Sequence, residues 1–353
     1  MTGLVHPFWT FNWRLSRANP LWSPCRGVSE TLTVIPVYNG ARYLRATLDS
    51  VAAQTVPPDR LVVIDDESTD GTPDLVHQFF ADHPCLKGEL RRNERNLGLF
   101  GNLNRCLQLS EETDLLHILL ADDLVLPAFL ERMVPALADA AAPAMAWSLT
   151  EKIDASGHLL PRQPKPPRHR VRDIPVLDFL RTQGQLQTIF CGSVLLKTGR
   201  RPAPCFFPLD YPQVGDCVFY ADWARHSHAI RERTEILCQI RHHGGSATSA
   251  NSRRLETWVG DELRAMRQIA RWAESGAIMR WSWDQRIQCL FAARSVVKQQ
   301  LAHPVDTRYA TAIGVMARGM IRPWNWWIGR VAVFFRDRLI GPHPATRNHS
   351  SNA

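Results

Sequence analysis

The chain has 353 residues, 45% hydrophobic and 22% charged, which excludes disordered, collagen-like and coiled-coil chains and predicts about two domains with a buried core. Its 42 Lys and Arg residues exceed its 34 Asp and Glu residues, so the formal net charge is +8, and all but five of the basic residues are arginines. Because guanidinium groups bind phosphate and other anions well, this excess indicates an anionic ligand or surface without identifying it.

In chain order, the first residues are rich in Trp and Pro without periodicity, so residues 1–30 are interpreted as an irregular N-terminal arm. From residue 31 to about 250, short apolar runs alternate with helical periodicities, as in α/β domains. Three apolar runs predict strands of a parallel sheet: Thr31–Val37, Leu61–Ile64 and Leu115–Leu120. Helices are predicted after Asn39-Gly40, from Thr72 as N-cap with Pro73 in the first turn, and beyond Pro127.

The second half of the chain contains two stretches of distinct composition. Pro161–Pro175 is rich in Pro and Arg, which predicts an irregular surface loop. Residues 251–353 are predicted to form a helical extension. Its last part, Pro323–Ile340, joins clustered aromatic residues to arginines. That composition suits an amphipathic helix lying on an anionic membrane, and it equally suits a helix packed on the preceding domain.

Cysteine spacing and hydropathy bear on the cellular compartment. The eight cysteines are scattered, with neither a Cys-x-x-Cys pair nor the Cys/His spacing of a zinc site, which favours reduced thiols in a cytosolic protein. No window approaches the ~18 apolar residues that span a bilayer, and the first residues lack a signal-peptide pattern. The sequence therefore predicts a cytoplasmic protein, either soluble or bound to a membrane surface.

Polar residues follow each of the three predicted strands: Tyr38-Asn39, Asp65-Asp66 and Asp122-Asp123. Ligands of open parallel sheets bind beyond the carboxyl ends of the strands. Two acidic pairs that meet there would repel each other unless a cation lies between them, and carboxylates are the ligands that Mg²⁺ and Mn²⁺ prefer. An adjacent Asp pair is also common in turns, so it is the position after a buried strand that favours a binding site.

A set of motifs, taken in order, resembles the family 2 glycosyltransferases of the GT-A fold. The residues that carry the resemblance are Thr33–Gly40, Leu48–Val51, Gln54-Thr55, Val63–Thr72, Asn96–Gly98, Ala121–Asp123, Pro127, Cys191–Val194, Gly215-Asp216 and Ile240–Ser246. The resemblance implies a GT-A domain over residues 31–250, that is, a Rossmann-like α/β fold of nucleotide-diphospho-sugar transferases, followed by a mainly helical extension over 251–353. It also implies an inverting enzyme of the hexosyltransferase type.

The resemblance further implies which residues hold the donor nucleotide. These are Pro36, Val37, Tyr38, Asn39, Asp65, Asp66, Arg95, Asn96 and Asp122. The alternative for Asp66 is a turn residue that caps a helix, and the alternative for Arg95 is a solvated surface position.

The implied cofactor is Mn²⁺ or Mg²⁺, which neutralises the charge on the departing diphosphate. Its implied ligands are Asp123 directly, together with Asp122 and His243. Leu120 stands where many family members carry a first Asp, which leaves the later pair to bind the metal. His243 and Arg241 fit the family's Arg-x-His spacing, and the alternative for His243 is a structural role.

An inverting transferase needs one general base for the acceptor hydroxyl. Asp216 matches the family's base position, with Gly215 where many relatives carry Glu. An aspartate is ionised at neutral pH and needs only to be positioned. The alternative is that Asp216 is a simple N-cap, in which case Asp210 or Asp222 is the base.

The expected function is transfer of a sugar to a saccharide or lipid-linked saccharide acceptor in cell-surface, exopolysaccharide or glycolipid synthesis. This biosynthetic setting follows from the resemblance alone. The expected location is the cytoplasm or the inner face of the plasma membrane. A nucleotidyltransferase is disfavoured because Pro36–Gly40 lacks a Gly-rich triphosphate loop. A non-catalytic nucleotide-sugar-binding or membrane scaffold protein is the alternative of another class, and the presence of Asp122, Asp123 and Asp216 argues against it. Nucleic-acid binding is disfavoured because the basic residues form no dense stripe.

Overall fold

The computed structural model describes residues 29–161, 170–186, 189–245, 254–274 and 276–339. Most of the predicted N-terminal arm, the centre of the Pro161–Pro175 stretch and Ser246 of the last motif lie outside the described residues. Within these ranges the chain forms nine strands, all in one sheet, and ten α-helices.

The strands are β1 (Thr31–Val37), β2 (Arg60–Asp65), β3 (Gly88–Arg92), β4 (Leu115–Ile118), β5 (Leu124–Val125), β6 (Ala144–Ile153), β7 (Val171–Asp173), β8 (Val194–Lys197) and β9 (Ile230–Arg241). The α-helices are α1 (Leu44–Ala52), α2 (Thr72–Asp82), α3 (Gly98–Gln108), α4 (Phe129–Met133), α5 (Val176–Gln183), α6 (Gly215–His226), α7 (Asp261–Ala273), α8 (Ala277–Ala302), α9 (Thr307–Met320) and α10 (Pro323–Leu339). Short 3₁₀ turns cover Leu109–Glu112, Pro135–Leu137 and Cys191–Ser193, and one π-helical turn covers Glu256–Gly260.

The sheet has the strand order β3-β2-β1-β4-β8-β6-β9-β5, and β7 pairs with the same side of β9 as β5. Strands β3, β2, β1 and β4 are parallel, whereas β8 is antiparallel to both of its neighbours. In the register of β1 with β2, Val37 lies beside Asp65. The polar residues that follow these strands therefore meet at one edge of the sheet, as predicted.

The predicted strands are confirmed, with small differences at the boundaries. Strand β4 ends at Ile118, before the turn in which the Asp123 amide donates to the Leu120 carbonyl. Helix α2 already includes Thr72, so the prediction of Thr72 as N-cap is wrong. Gly71 holds the cap position, and the Thr72 amide donates to Asp70 Oδ1 at 3.0 Å. The helix beyond Pro127 is short because Pro135 begins a 3₁₀ turn.

The prediction of an irregular loop for the whole of Pro161–Pro175 is wrong for Val171–Asp173. These residues pair antiparallel with Arg231–Arg233 of β9. The three contain no proline, so they can complete a short edge strand even though prolines flank them.

Helices cover both faces of the sheet. Leu107 of α3 and Trp223 of α6 belong to the core on one face, and Leu48 of α1 and Phe79 of α2 belong to the core on the other. All four side chains are fully buried. The edge of the sheet at which the polar residues meet therefore lies between two packed layers of helices.

Helices α7 to α10 confirm the predicted helical C-terminal region. They share a third buried cluster with α5 and α6, to which Val218, Leu263 and Phe291 contribute. Helix α10 approaches α8 closely at Gly329, where a Cβ atom would lie only 2.5 Å from the Ala292 Cβ. None of the helices in the described ranges combines the length and the apolar content that a bilayer crossing demands.

Candidate active site

The loops after β1 and β2 are joined to each other by hydrogen bonds. The Asn39 amide donates to Ser68 Oγ at 2.8 Å, and Asn39 Oδ1 accepts from the Thr69 amide at 2.8 Å. Asn39 has a φ of 48°, a left-handed conformation that Asn tolerates better than most residues. Beside it the Tyr38 side chain is 54% exposed, so its ring is available to a ligand at the end of β1.

Asp66 is buried, and its carboxylate holds the loop after β3 in place by hydrogen bonds. Its carboxylate accepts from Asn93 Nδ2 at 2.7 Å, from the Leu97 amide at 2.9 Å and from the Gly98 amide at 3.0 Å. These amides open α3, so the helix-capping alternative describes the contacts of Asp66. The cap lies on α3 rather than on the helix that directly follows it in sequence. Both carboxylate oxygens are thereby occupied within the protein.

The remaining predicted nucleotide residues lie close to Asp66 but differ in exposure. Asp65 is fully buried and accepts from the Ser68 amide, with Arg92 Nε 3.4 Å away. Asn96 is exposed, and its side chain donates to the Asp66 carbonyl at 3.1 Å. Arg95 is exposed on the same loop. The structure therefore brings these residues to one edge, and their predicted contacts with a nucleotide stay predictions.

The acidic pair after β4 is held by the end of β9. The Arg241 amide donates to Asp123 Oδ1 at 2.9 Å, and Arg241 Nε donates to the Asp122 carbonyl at 2.9 Å. His243 Nε2 lies 2.9 Å from Asp122 Oδ2. The three predicted metal residues thus converge, although about 120 positions separate them along the chain.

The environment of Asp123 disfavours an uncompensated negative charge. Burial raises its pKa well above the usual range, and the neighbouring Asp122 charge raises it further, while the Arg241 amide and guanidinium act in the opposite direction. Asp123 is 3% exposed. A cation bound between the two carboxylates would relieve this cost.

Two residues that support the acidic turn, Tyr43 and Thr47, have only a weak signature in the sequence. The Tyr43 ring lies 4.8 Å from the His243 ring, and the Arg241 guanidinium lies 4.9 Å from the Tyr43 centroid. Thr47 Oγ1 is 2.9 Å from the carbonyl oxygens of both Ala121 and Asp123. Tyr43 and Thr47 lie one turn apart at the start of α1, and that spacing is the only local signal of a shared partner.

His117 is a third residue whose role the sequence did not predict. It is buried on β4, with Nδ1 3.3 Å from Thr33 Oγ1 and Nε2 3.0 Å from the Gly192 carbonyl. Burial lowers the pKa of His117 to about 4, so the ring is neutral at pH 7. It fixes Gly192, where a Cβ atom would lie 2.9 Å from Leu119 Cδ1 and 3.9 Å from Asp123 Oδ2.

Asp216 is the second residue of α6, and Val214 holds the N-cap position, so the simple N-cap alternative is wrong. Its Oδ1 accepts from the Cys217 amide at 2.8 Å. Burial raises the pKa of Asp216 to about 6. Burial also raises the pKa of Cys191 to about 12, with smaller contributions from the charges of Asp216 and Asp123. One thiol thus lies within electrostatic reach of both carboxylates.

The two fallback bases occupy different surroundings. The Asp222 carboxylate is 2.7 Å from an Arg225 guanidinium nitrogen, one turn further along α6. The Asp210 side chain is 68% exposed, and its carboxylate lies 4.0 Å from an Arg264 guanidinium nitrogen. Asp222 is paired with an arginine and Asp210 is exposed, whereas burial raises the pKa of Asp216, so the surroundings favour Asp216 as the base.

The acidic pair has the donor atoms that a divalent cation prefers, although few of them. Within the described ranges, no group of three or more His, Cys, Asp and Glu side chains is arranged to hold a metal ion by itself. A Mg²⁺ ion in a phosphate-transfer site often takes only one or two carboxylates and completes its shell with phosphate oxygens and water. Asp122 and Asp123 fit that smaller requirement.

Comparison with known proteins shows which family model and which solved structures the chain resembles. Residues 33–191 match the model of glycosyl transferase family 2. A segment of 101 residues is 33% identical to EpsE, a proposed glycosyltransferase of Bacillus subtilis strain 168, and covers 29% of this chain and 36% of EpsE. The chain therefore spans about a third of the length of this relative.

Among solved structures, TarS 1–349 of S. aureus in complex with UDP-GlcNAc superposes with a TM-score of 0.57 at 15% identity, covering 82% of this chain and 89% of that one. The mannosyltransferase PcManGT of Pyrobaculum calidifontis, in complex with GDP-Man and Mn²⁺, gives 0.50 at 18% identity and covers 88% of each chain. These likenesses confirm the predicted GT-A fold.

Proposed function

We propose that this chain, whose residues 33–191 match the model of glycosyl transferase family 2, transfers a sugar from a nucleotide diphosphate donor to an acceptor hydroxyl with inversion. The observation that carries the proposal is that Asp216, whose pKa burial raises to about 6, and Asp123 of the acidic pair both lie within electrostatic reach of the Cys191 thiol. Asp216 is suited to accept a proton near neutral pH. Asp122 and Asp123 are suited to bind a divalent cation that carries the diphosphate of the donor.

The donor half of the proposed site is the edge formed by the loops after β1, β2 and β3. The exposed Tyr38 ring offers a face for the base, and Arg95 offers a cation at the surface. Asp66 acts on the donor through the loop that it clamps, because its oxygens already bind Asn93 and the amides that open α3. TarS and PcManGT were solved with UDP-GlcNAc and GDP-Man, which supports a nucleotide sugar as donor for the shared fold.

Asp122 and Asp123 are the proposed carboxylate ligands of Mn²⁺ or Mg²⁺, with His243 beside them. When bound, the cation stabilises the negative charge on the departing diphosphate. Arg241 orients both aspartates, since its amide binds the Asp123 side chain and its guanidinium binds the Asp122 carbonyl. The presence of Mn²⁺ in the PcManGT complex supports this assignment.

Asp216 is the proposed general base. The acceptor oxygen attacks the anomeric carbon as the bond from that carbon to the diphosphate oxygen breaks. The hydroxyl proton passes to the Asp216 carboxylate, and this single displacement inverts the anomeric centre. Because burial raises the pKa of Asp216, its carboxylate accepts a proton more readily than an exposed aspartate does.

The proposed acceptor is a saccharide or lipid-linked saccharide used in cell-surface, exopolysaccharide or glycolipid synthesis. The outer face of α10 supports a location on the inner surface of an anionic membrane. Its exposed apolar side chains are Trp324, Trp327, Ile328, Val331, Phe334, Phe335 and Leu339. They recur at helical spacing and form one face, opposite the buried Asn325, Gly329 and Val333.

Arginines accompany this aromatic face. The guanidinium of Arg330 lies 5.0 Å from the Trp327 centroid, and that of Arg338 lies 4.8 Å from the Phe334 centroid. Aromatic rings with adjoining cations suit the boundary between acyl chains and anionic head groups.

The membrane proposal is tested by sedimentation with phosphatidylglycerol or phosphatidylcholine vesicles. We expect salt-sensitive binding to the anionic vesicles that is weakened at least tenfold when Trp327, Phe334 and Phe335 are changed together to Ser. Leu159→Ser, an exposed apolar residue on another element, is the control. Equal binding by the triple variant contradicts the assignment, as does a dimer that depends on the same three residues.

The catalytic proposal is tested with purified protein and a panel of nucleotide sugars, with and without Mn²⁺ or Mg²⁺. Nucleotide release and sugar transfer are measured for the wild type, Asp216→Asn and the control Asp222→Asn on the same helix. A chain that binds no donor, or an Asp216→Asn variant that transfers sugar at the wild-type rate, would show the mechanism to be wrong.

A further inference from the structure

A cavity of about 370 Å³ lies beside the proposed catalytic centre, between β6, α5 and the segment that leads into β8. Trp147, Phe179 and Phe190 supply aromatic surface to its wall. Ser148 and Gln183 supply polar groups. The donor and metal residues assigned above do not line it.

Two buried polar atoms in the wall of this cavity have unsatisfied hydrogen-bonding capacity. Ser148 is 2% exposed and Gln183 is 1% exposed. In the part of the chain that the structure describes, neither Ser148 Oγ nor Gln183 Oε1 has a hydrogen-bond partner. A buried acceptor without a donor costs free energy, so two such atoms in one cavity indicate a ligand that brings its own hydroxyl or amide hydrogens.

The charges around the cavity identify a neutral ligand. Its two charged lining residues, Arg172 and Glu232, form an ion pair with each other across β7 and β9. With those charges mutually compensated, the described residues of the wall offer no free cation for a phosphate and no free carboxylate for an amine. Aromatic surface together with unsatisfied hydroxyl and amide groups is complementary to a sugar ring, which has apolar C–H faces and hydroxyl edges.

The cavity adjoins the catalytic carboxylates through one short turn. Phe190 and Ser193 line the cavity, and Ser193 Oγ donates to the Phe190 carbonyl at 2.7 Å. Between them lie Cys191, within electrostatic reach of Asp216, and Gly192, whose Cβ position is 3.9 Å from Asp123 Oδ2. The 190–193 turn therefore connects the wall of the cavity to the surroundings of Asp123 and Asp216.

We propose that this cavity is a subsite for one neutral sugar ring of the acceptor saccharide, with Ser148 and Gln183 as its hydrogen-bonding residues. The assignment as an acceptor subsite rests on the proposed function. The existence of a saccharide site rests on the cavity itself.

The test uses the full chain and a set of methyl glycosides of glucose, galactose, mannose and N-acetylglucosamine as probes. Binding is measured by saturation-transfer NMR and titration for the wild type, Ser148→Ala, Gln183→Leu and the control Gln185→Leu. Gln185 lies just beyond the same helix, and its side chain donates to the Arg181 carbonyl. Binding of UDP and GDP in the same samples, and the thermal midpoint, report folding.

We expect at least one glycoside to bind the wild type, with affinity reduced tenfold or more in Gln183→Leu and retained in Gln185→Leu. The midpoint of Gln183→Leu should be equal or higher, because an unsatisfied buried acceptor is removed. Failure of every glycoside to bind, or equal binding by Gln183→Leu, overturns the proposal. Glycoside binding that depends on Gln183 in a chain that turns over no nucleotide sugar supports the saccharide site while refuting the proposed transferase function.

Discussion

Asp216→Asn should make the protein more stable and nearly inactive at the same time. Burial raises the pKa of Asp216 from 3.8 to about 6, which means that the folded state disfavours the ionised carboxylate. A shift of about two units corresponds to about 3 kcal/mol, an upper bound on the gain from replacing the charge by a neutral amide. The amide oxygen of Asn can still accept from the Cys217 amide, so the local hydrogen bond is kept.

The sign of this effect depends on pH. The folded pKa lies above the unfolded one, so the destabilisation by Asp216 is complete above pH 6 and disappears as the pH falls below about 3.8. Urea unfolding at pH 7.5 and pH 4.5 should therefore show Asp216→Asn more stable than the wild type at the higher pH, with a smaller difference at the lower. Transfer activity should fall by about 10² to 10⁴ because the general base is lost. The reasoning is refuted if the variant is less stable than the wild type at pH 7.5, or if Asp222→Asn has the same two effects.

Three further outcomes are expected. The transfer rate should decline about tenfold per pH unit below an apparent pKa near 6, because Asp216 must be ionised to accept the proton; a pH–rate profile that is flat down to pH 5 would exclude it as the base. Asp123→Ala should abolish metal-dependent donor binding in calorimetric titrations with and without Mn²⁺, while leaving the fold intact by circular dichroism, and equal stimulation by Mn²⁺ in the variant would contradict the ligand assignment. Burial lowers the pKa of His117 from 6.5 to about 4, so the stability that the neutral ring supports should be lost as the pH falls from about 6.5 towards 4. The free energy of unfolding of His117→Gln in urea should therefore depend less on pH over that range. The same pH dependence in the variant and the wild type would argue against a buried neutral His117.

Local sequence patterns predict the parts of this fold in which side chains repeat with the period of one element. The runs that became β1 and β2 are buried at almost every position because both faces of the sheet are covered. The first acidic pair lies at the end of β2, and the second lies in the turn after β4. The family resemblance added Asp216 and His243. Neither periodicity nor spacing in the sequence links these residues to the strand ends.

Contacts between distant segments were the part that local patterns could not predict. The carbonyl of Gly192 accepts a hydrogen bond from His117, 75 positions earlier in the chain. The Tyr43 ring contacts the His243 ring, 200 positions later. Residues near His117 or Tyr43 in sequence therefore do not reveal these contacts. The strand Val171–Asp173 was missed for the same reason. Its partner lies on β9, and the composition of its own neighbourhood favoured a loop.

The third buried cluster gives the C-terminal helices an influence on reactivity. The side chains of Val214, Cys217 and Val218 flank Asp216 and pack in one cluster with Val259 and Leu263, which follow more than forty positions later. Part of the low polarity that sets the proton affinity of the proposed base is therefore supplied by the tail of the chain. Changes in the packing of that tail would therefore shift the pH at which the proposed transferase works.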